Sequence, residues 1–273
     1  MSLKCVIKIE PYRDVTRVNM SITLFGKEIF ATNSYIIGDL LIDTGPAKLS
    51  EKFLKVLEPF TVETVVNTHA HSDHVGSNYA FPFVFAHPEG FERLKNPKPE
   101  MLIQKLLHGL PKPCNPREVP HRINMDDYTL NVLYTPGHSP DHISLYEPDQ
   151  KWAFTGDLLL WGPTREVFTD VKIHDAIESL RSLSKLEIEV LFPGHGPPFK
   201  NPSEALRKQV ETLETFEIQI RKLHERGLGA EEIRDEIFGK ERIFAHLCGG
   251  KFSALNLVNS YLERMEKDYR ASN

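Results

Sequence analysis

The densest group of side chains able to do chemistry lies in residues 68–76, which read THAHSDHVG. His69 and His71 stand two apart just after a predicted strand, so their rings can project to the same side. Asp73 and His74 are adjacent and must diverge, which suits a second centre beside the first. Imidazole and carboxylate suit Zn²⁺, Mn²⁺ or Fe²⁺, and no cysteine lies nearby in sequence to close a structural tetrahedral site. The segment therefore predicts an open, catalytic metal site.

Three more candidate ligands follow apolar runs farther along the chain. Each is a histidine or aspartate beside a glycine, where a side chain can point into a cleft at a sheet edge; they are His138, Asp157 and His195. Taken singly, a residue of this kind is more often structural, but together with residues 68–76 the three indicate one shared site. His142, inside a strand-forming run, and His108, without a motif context, are interpreted as structural or surface residues.

The elements that must position these residues are mostly short strands in the first 200 residues. Alternating or buried apolar runs predict strands at Arg17–Leu24, Ser34–Ile37, Leu40–Asp43, Thr64–Asn67, Phe83–Ala86, Tyr128–Tyr134, Ile143–Tyr146, Trp152–Thr155 and Glu189–Phe192. Helices are predicted at Lys48–Val56 and Ile173–Leu183. Because strands outnumber helices and mixed sheets fit this order, the predicted class is α/β or α+β.

Residues 91–125 differ from their surroundings in being rich in proline and in positive charge. They carry seven Lys or Arg against three Glu, a net charge of +4. Two interpretations stay open for this segment, which we call the flap. It is either a partly helical insertion that walls a substrate site or a solvated connection.

Residues 200–273 change in character to helix. Asn201 is a candidate N-cap, with Pro202 at the first helical position and Glu204 at the third. Gly227 and Gly229 end this helix, and further helices are predicted at Ala230–Phe238 and Phe252–Lys267. We therefore predict a catalytic domain over residues 1–199 and a helical C-terminal domain over residues 200–273.

Composition and charge exclude several classes of protein. At 273 residues the chain is a little long for one domain, and its 40% apolar content is typical of a soluble protein with a core. A net charge of −5 argues against an electrostatic nucleic-acid binder. Three separated cysteines predict reduced thiols and a cytoplasmic location. Neither a secretory signal nor a membrane-spanning run is recognised, so no membrane association is expected.

The motifs together resemble those of the metallo-β-lactamase-fold hydrolases over about residues 30–199. They are LIDTG at 41–45, HAHSDH at 69–74, GH at 137–138, GD at 156–157 and GHG at 194–196. The resemblance implies a four-layer αββα sandwich with metals at one edge of its two sheets and a helical, winged-helix-like C-terminal extension. It places His69, His71 and His138 on a first metal, Asp73, His74 and His195 on a second, and Asp157 between them. Asp43 resembles the buried aspartate that supports the family's site without binding metal.

The lactamase-β-2-like subgroup is the most similar part of that family. The similarity lies in GHSPDHISLY at 137–146, GD-x-L-L-x-G-x-T at 156–164 and PGHGP at 193–197, followed by a helical tail. Members of the subgroup include a single-strand endoribonuclease and many hydrolases without a known substrate. The resemblance therefore implies an enzyme and leaves its substrate open.

The implied mechanism uses two divalent ions, with zinc favoured over manganese or iron. Two ions about 3.5–4 Å apart lower the pKa of a bridging water and yield hydroxide near neutral pH. Asp73 would orient that hydroxide or take its proton. Three functions stay open: a hydrolase of a small ester, thioester or lactone; a phosphodiesterase or ribonuclease acting on single-stranded RNA; and an iron-dependent redox enzyme. The acidic overall charge favours a small-molecule substrate over RNA.

Overall fold

The computed structural model describes residues 3–99, 101–159 and 165–272. The motif residues Leu160, Gly162 and Thr164 lie outside these ranges. The chain forms two compact units, the first from residues 1–134, 141–157 and 188–201, and the second from residues 135–140, 158–187 and 202–273. Strands and helices both contribute extensively, which confirms the mixed α/β class. The domain boundary between residues 199 and 200 stays a prediction.

The first unit contains two β-sheets. The seven-stranded sheet follows the chain order: β1 (Leu3–Tyr12), β2 (Val15–Leu24), β3 (Lys27–Ile37), β4 (Leu40–Ile42), β5 (Thr64–Val66), β6 (Phe83–Ala86) and β7 (Arg117–Glu118). Its first four strands pair antiparallel, and β4 to β7 pair parallel. Because parallel strands end at the same edge, the segments after β4 and β5 emerge side by side there.

The six-stranded sheet holds the strands that precede the later candidate ligands. It contains β8 (Arg122–Asn124), β9 (Thr129–Tyr134), β10 (Ile143–Glu147), β11 (Trp152–Gly156), β13 (Val190–Pro193) and β14 (Phe199–Lys200), in the order β14-β13-β11-β10-β9-β8. Within it, β11 and β13 pair parallel, whereas the neighbouring pairs are antiparallel. Asp157 and His195 therefore follow adjacent parallel strands and leave the sheet at the same edge.

Apolar side chains from both sheets form the main core of the first unit. Ile42 of one sheet and Leu145, Trp152 and Phe192 of the other belong to one cluster of fully buried residues. The outer face of the first sheet packs against α1 (Ser50–Leu57) through Phe53 and its neighbours. Burial on both faces explains why the central strands read as nearly continuous apolar runs rather than alternating ones.

The flap is partly helical. It contains α2 (Phe91–Lys95) and α3 (Leu102–His108), followed by β7 and β8. β7 pairs with β6 in the first sheet and β8 pairs with β9 in the second, so the flap also carries the chain from one sheet to the other. Lys48 Nζ donates a hydrogen bond to the carbonyl of Leu106 at 2.7 Å, which ties α3 to the loop before α1.

The second unit is built mainly from helices. They are α4 (Ile173–Ser184), α5 (Ser203–Glu225), α6 (Ala230–Phe238), α7 (Ile243–Leu247) and α8 (Ala254–Ser272), with the short strands β12 (Val167–Phe168) and β15 (Phe252–Ser253) paired antiparallel. Tyr261 of α8 is fully buried, and its hydroxyl donates to the carbonyl of Leu213 at 2.7 Å. None of the helices in the described ranges combines the length and apolar character needed to cross a membrane.

The predicted N-cap at Asn201 is wrong. α5 begins at Ser203, follows Pro202 and has no side-chain cap hydrogen bond. Asn201 has a φ of 51°, in the left-handed region, whereas an N-cap residue needs an extended backbone to turn its side chain toward the helix. Asn tolerates the left-handed conformation better than most residues, so it serves the turn after β14 instead.

Candidate metal centre

The loop after β5 carries the histidine cluster and is anchored by Asp43. Asp43 follows β4, is 2% exposed, and accepts hydrogen bonds from the Thr68 backbone N–H and the Thr68 hydroxyl, both at 2.8 Å. Its Oδ2 also accepts from His74 Nδ1 at 2.8 Å. Since a carboxylate oxygen can only accept, Nδ1 of His74 carries the proton and the other ring nitrogen of the neutral ring presents a lone pair.

Asp73, His74, Asp157 and His195 form a compact group in which one ligand atom of each lies within 4.8 Å of the others. His74 Nε2 is 3.4 Å from Asp157 Oδ1 and 3.6 Å from Asp73 Oδ2. His195 Nε2 is 3.2 Å from Asp157 Oδ2 and 3.3 Å from Asp73 Oδ2. Both carboxylates are thus within reach of both imidazoles, as ligands of one ion would be.

The orientation of the two histidines provides a test of whether this group fits a cation. His195 Nδ1 donates to the carbonyl of Ala31, as His74 Nδ1 donates to Asp43. Each ring therefore turns Nε2 toward the carboxylates, and His74 Nε2 is buried without a hydrogen-bond partner in the described chain. Lone pairs that face carboxylate oxygens repel one another unless a positive charge lies between them. The residues fit a divalent metal.

The electrostatic field of the group also favours a cation. Burial alone would lower the pKa of His195, but the carboxylates of Asp157 and Asp73 outweigh it and raise that pKa to about 10. Burial would likewise lower the pKa of His74, but the same carboxylates raise it well above the ordinary value for histidine. Burial would raise the pKa of Asp73 and of Asp157, yet the neighbouring histidines hold both values low. The pocket of carboxylates therefore attracts positive charge strongly.

His69 and His71 lie next to this group. His69 Nε2 is 3.0 Å from His71 Nδ1 and 3.9 Å from Asp157 Oδ2, so the pair is close to Asp157 of that group. His138 belongs to residues 135–140 in the second unit, and its place beside His69 and His71 stays a prediction.

Two glycines at the ends of β11 and β13 leave room for the group. A Cβ on Gly194 would collide with Asp157 Oδ1 and approach His74 Cε1 to 2.9 Å. Gly156 has a φ of 47°, and a Cβ there would lie 2.7 Å from His142 Nε2. Glycine is required at both positions because the backbone passes close to the side chains of Asp157 and His74 at Gly194 and of His142 at Gly156.

His142 and Asp141 support the site from behind. His142 is fully buried and its Nε2 accepts a hydrogen bond from the Asp157 backbone N–H at 3.2 Å, which agrees with its interpretation as structural. Burial lowers the pKa of His142 to about 4, so the ring stays neutral. Asp141 Oδ2 accepts from the Ala70 N–H at 2.7 Å. Its role was missed because Asp141 and Ala70 are 71 residues apart and no local pattern marks the contact.

His108 is a second residue that sequence reasoning missed. It ends α3 of the flap, is 7% exposed, and its Nδ1 lies 2.9 Å from Ser72 Oγ and 4.0 Å from Asp73 Oδ1. Its ring also packs against Phe30 at a centroid distance of 4.5 Å. Burial lowers the pKa of His108 despite the nearby carboxylate of Asp73. The flap thus reaches the edge of the candidate centre, and its apolar neighbours gave no signal of this.

Comparison with known proteins identifies the family. The family described as the metallo-β-lactamase superfamily matches residues 28–195, more than half of the chain. The chain belongs to this superfamily. As a member of this hydrolase superfamily it is an enzyme, and its His/Asp group is a metal-binding site of the kind the fold carries. The resemblance and the fold class inferred from the sequence are therefore confirmed.

Three individual proteins illustrate this similarity. The chain is 28% identical to the beta-lactamase-like protein 2 homolog of Caenorhabditis elegans over 87% of this chain and 79% of that protein. It is 26% identical to the atrochrysone carboxyl ACP thioesterase of Aspergillus fumigatus over 71% of this chain, and the match spans 59% of that protein's length. A protein solved in a di-iron-bound form is 28% identical, with a TM-score of 0.54 over 68% of this chain and 96% of that chain.

Proposed function

We propose that this enzyme hydrolyses thioesters of small acyl groups at a dinuclear metal site. The observation that carries the proposal is the buried group of Asp73, His74, Asp157 and His195, with both imidazole Nε2 atoms turned toward two carboxylates. Similarity to a fungal carrier-protein thioesterase supports thioesters among the ester-type substrates.

The proposed ligand sets are those that the resemblance to the family implies. His69, His71 and His138 would hold one ion; Asp73, His74 and His195 would hold the other, and Asp157 would lie between them. Asp43 and the Ala31 carbonyl keep the imidazole Nδ1 atoms protonated, so that Nε2 stays available. We propose zinc as the native metal, with manganese and iron as the alternatives that this ligand chemistry accepts.

Two ions bound there would supply a water that is nucleophilic near neutral pH and a positive charge for the substrate's carbonyl oxygen. Asp73 is the residue proposed to orient that water and accept its proton. Its Oδ2 faces His74 and His195, whereas its Oδ1 points toward the flap, 4.0 Å from His108 Nδ1. One carboxylate oxygen of Asp73 could therefore bind metal while the other contacts the reacting water.

The test is thiol release from a series of acyl thioesters by protein of measured metal content. A lactone, bis-nitrophenyl phosphate and short single-stranded RNA serve as competing substrates for the other candidate activities. We expect thioester turnover that disappears on chelation and returns with metal, and two zinc, manganese or iron ions per chain. Turnover of RNA but not of thioesters, or a single iron with no hydrolysis, would contradict the proposal.

Substitution of proposed ligands provides the second arm. His71→Ala and Asp157→Ala should each remove nearly all metal-dependent turnover, because each deletes a ligand in a buried site that water cannot replace in the same geometry. His121→Ala is the matched control, since His121 is exposed, stands directly before β8 in the flap and is not among the proposed ligands. Full activity in either ligand variant would contradict the assignment.

We also propose a cytoplasmic location, because the three cysteines are free thiols.

A further inference from the structure

A hydrogen bond joins the flap to the loop that carries the proposed ligands. His108, the last residue of α3, is 7% exposed, and its Nδ1 lies 2.9 Å from the hydroxyl oxygen of Ser72. Ser72 stands between His71 and Asp73 in the chain. The contact therefore ties the end of a helix to the middle of the sequence that supplies the proposed ligands.

The imidazole ring of His108 is held in place from several sides. It packs against the ring of Phe30 at a centroid distance of 4.5 Å. The helix that carries it is fixed because Lys48 Nζ donates a hydrogen bond to the Leu106 carbonyl at 2.7 Å. Gly109, directly after His108, has a φ of 77°, and a Cβ there would lie 2.9 Å from the backbone nitrogen of Lys48. The ring is therefore a fixed point to which the loop is bound.

Asp73 lies directly beside this contact. Its Oδ2 faces the proposed ligands His74 and His195, at 3.6 and 3.3 Å from their Nε2 atoms. Its Oδ1 is 4.0 Å from His108 Nδ1, which is too far for a hydrogen bond. Because Nδ1 bonds to Ser72 instead, His108 borders Oδ1 of Asp73 without occupying its lone pairs.

The direction of the Asp73 side chain depends on the backbone of Ser72. A rotation of the Ser72 backbone also turns Asp73, since the two residues share one planar peptide unit. Ser72 is half-buried, whereas its neighbours His71 and Asp73 are buried, so packing restrains Ser72 less. The hydrogen bond to a buried ring supplies the missing restraint. Because a misplacement of about 1 Å can lower a rate about 100-fold, a small rotation at this point would reduce turnover.

We propose that His108 and Ser72 are positioning residues that act on the reaction through Asp73. The proposal rests on the proposed thioester hydrolysis, in which Asp73 orients the reacting water. His108 holds Ser72, and Ser72 fixes the backbone from which Asp73 presents Oδ1 to that water. The end of α3 is thereby a rigid part of the active site, and it contributes to kcat rather than to the binding of substrate or metal.

Two substitutions of His108 separate the hydrogen bond from the packing of the ring. In His108→Asn the amide places a polar atom as many bonds from Cα as Nδ1 is, so the contact with Ser72 can form again. In His108→Gln the amide lies one bond farther out, near the position of Nε2, and the contact is lost. Both variants lose the packing against Phe30. For an acyl thioester of N-acetylcysteamine, we expect kcat to fall about tenfold in His108→Gln and less than about threefold in His108→Asn, with KM unchanged.

Removal of the Ser72 hydroxyl provides the second half of the experiment. Ser72→Ala should lower kcat about tenfold, and the Ser72→Ala/His108→Gln double variant should be no slower than either single variant, since one contact can be lost only once. The same non-additivity should appear in the denaturant midpoints of the metal-depleted proteins. Metal affinity measured against a competing chelator should stay within about twofold of wild type. His121→Gln, at an exposed flap position, is the matched control and should behave as wild type.

The outcomes distinguish the two proposals. Equal kcat values in His108→Asn and His108→Gln, losses that multiply in the double variant, or weakened metal binding in Ser72→Ala would overturn the positioning role while thioester hydrolysis stands. Hydrolysis of no thioester by the metal-loaded wild-type enzyme would overturn the proposed function, and the positioning role with it.

Discussion

Replacing Asp43 with asparagine tests the idea that one buried carboxylate sets the orientation of the metal-binding loop. Asp43 has a φ of 59°, and asparagine tolerates that left-handed conformation about as well, so the backbone should stay in place. The amide oxygen can keep the hydrogen bond from the Thr68 N–H, and the Thr68 hydroxyl can rotate to accept from the new N–H₂. His74 Nδ1 cannot adapt without giving up its proton, because it would face a donor.

The magnitude follows from that single lost contact. A hydrogen bond to a buried charged group contributes about 1.5–3 kcal/mol, so the free energy of unfolding should fall by that amount and Tm by several degrees. If the His74 ring shifts its proton to Nε2, it can no longer bind metal through that atom. Loss of an orienting partner typically weakens metal binding about 10- to 100-fold, and we expect a loss in this range.

The assay is metal retention against a competing chelator, together with denaturant unfolding of the metal-depleted protein. Asp39→Asn is the matched control, because Asp39 is an exposed aspartate just before β4 and makes none of these contacts. Wild-type metal affinity in the Asp43→Asn variant, with the control also unchanged, would refute the reasoning that Asp43 fixes the proton on His74 Nδ1. A loss of stability with unchanged metal affinity would limit Asp43 to supporting the loop.

Three further substitutions test separate parts of the structure. Gly194→Ala should lower metal content severely, because a Cβ there collides with Asp157 Oδ1, and elemental analysis of folded protein checks this. His108→Gln should reduce kcat/KM about tenfold while metal content stays within twofold of wild type; unchanged kinetics would remove the flap from the active site. Tyr261→Phe should lower the free energy of unfolding by about 1 kcal/mol, since the buried hydrogen bond from its hydroxyl to the Leu213 carbonyl is lost, with activity unaffected.

The sequence identified the parts of the site that are close together in the chain. The spacing of His69, His71, Asp73 and His74 is a local pattern. Because all four lie in one short loop after a buried strand, their side chains are close together. Asp157 and His195 were recognisable because each follows a strand and stands beside a glycine. The structure then places those two strands next to each other in parallel register, which brings both residues to one edge.

Contacts between distant segments could not be predicted in the same way. His108 meets Ser72 across 36 residues, and nothing in α3 distinguishes this histidine from one on a solvated helix. The error at Asn201 has a related cause: the residue type was right for a cap, but the turn after β14 imposes a left-handed backbone that directs its side chain elsewhere. Residue preference is a weak guide where tertiary structure fixes the backbone.

The position of His195 depends on the first strands of the protein, although these contribute none of the proposed ligands. The turn that carries His195 is bound by Asn33 of β3, whose backbone N–H donates to the Gly194 carbonyl at 2.8 Å and whose side-chain amide donates to the Pro193 and Gly196 carbonyls. Arg17 of β2 in turn donates to Asn33 Oδ1 and to the Gly196 carbonyl.

The side chains of Arg17 and Asn33 are buried. Because a buried carbonyl without a donor is unfavourable, these hydrogen bonds hold the turn against the β2–β3 hairpin. His195 Nδ1 completes it by donating to the Ala31 carbonyl, two residues before Asn33. The N-terminal strands therefore act on the candidate metal centre through backbone hydrogen bonds. This explains why polar side chains occupy the middle of strands that otherwise pack a hydrophobic core.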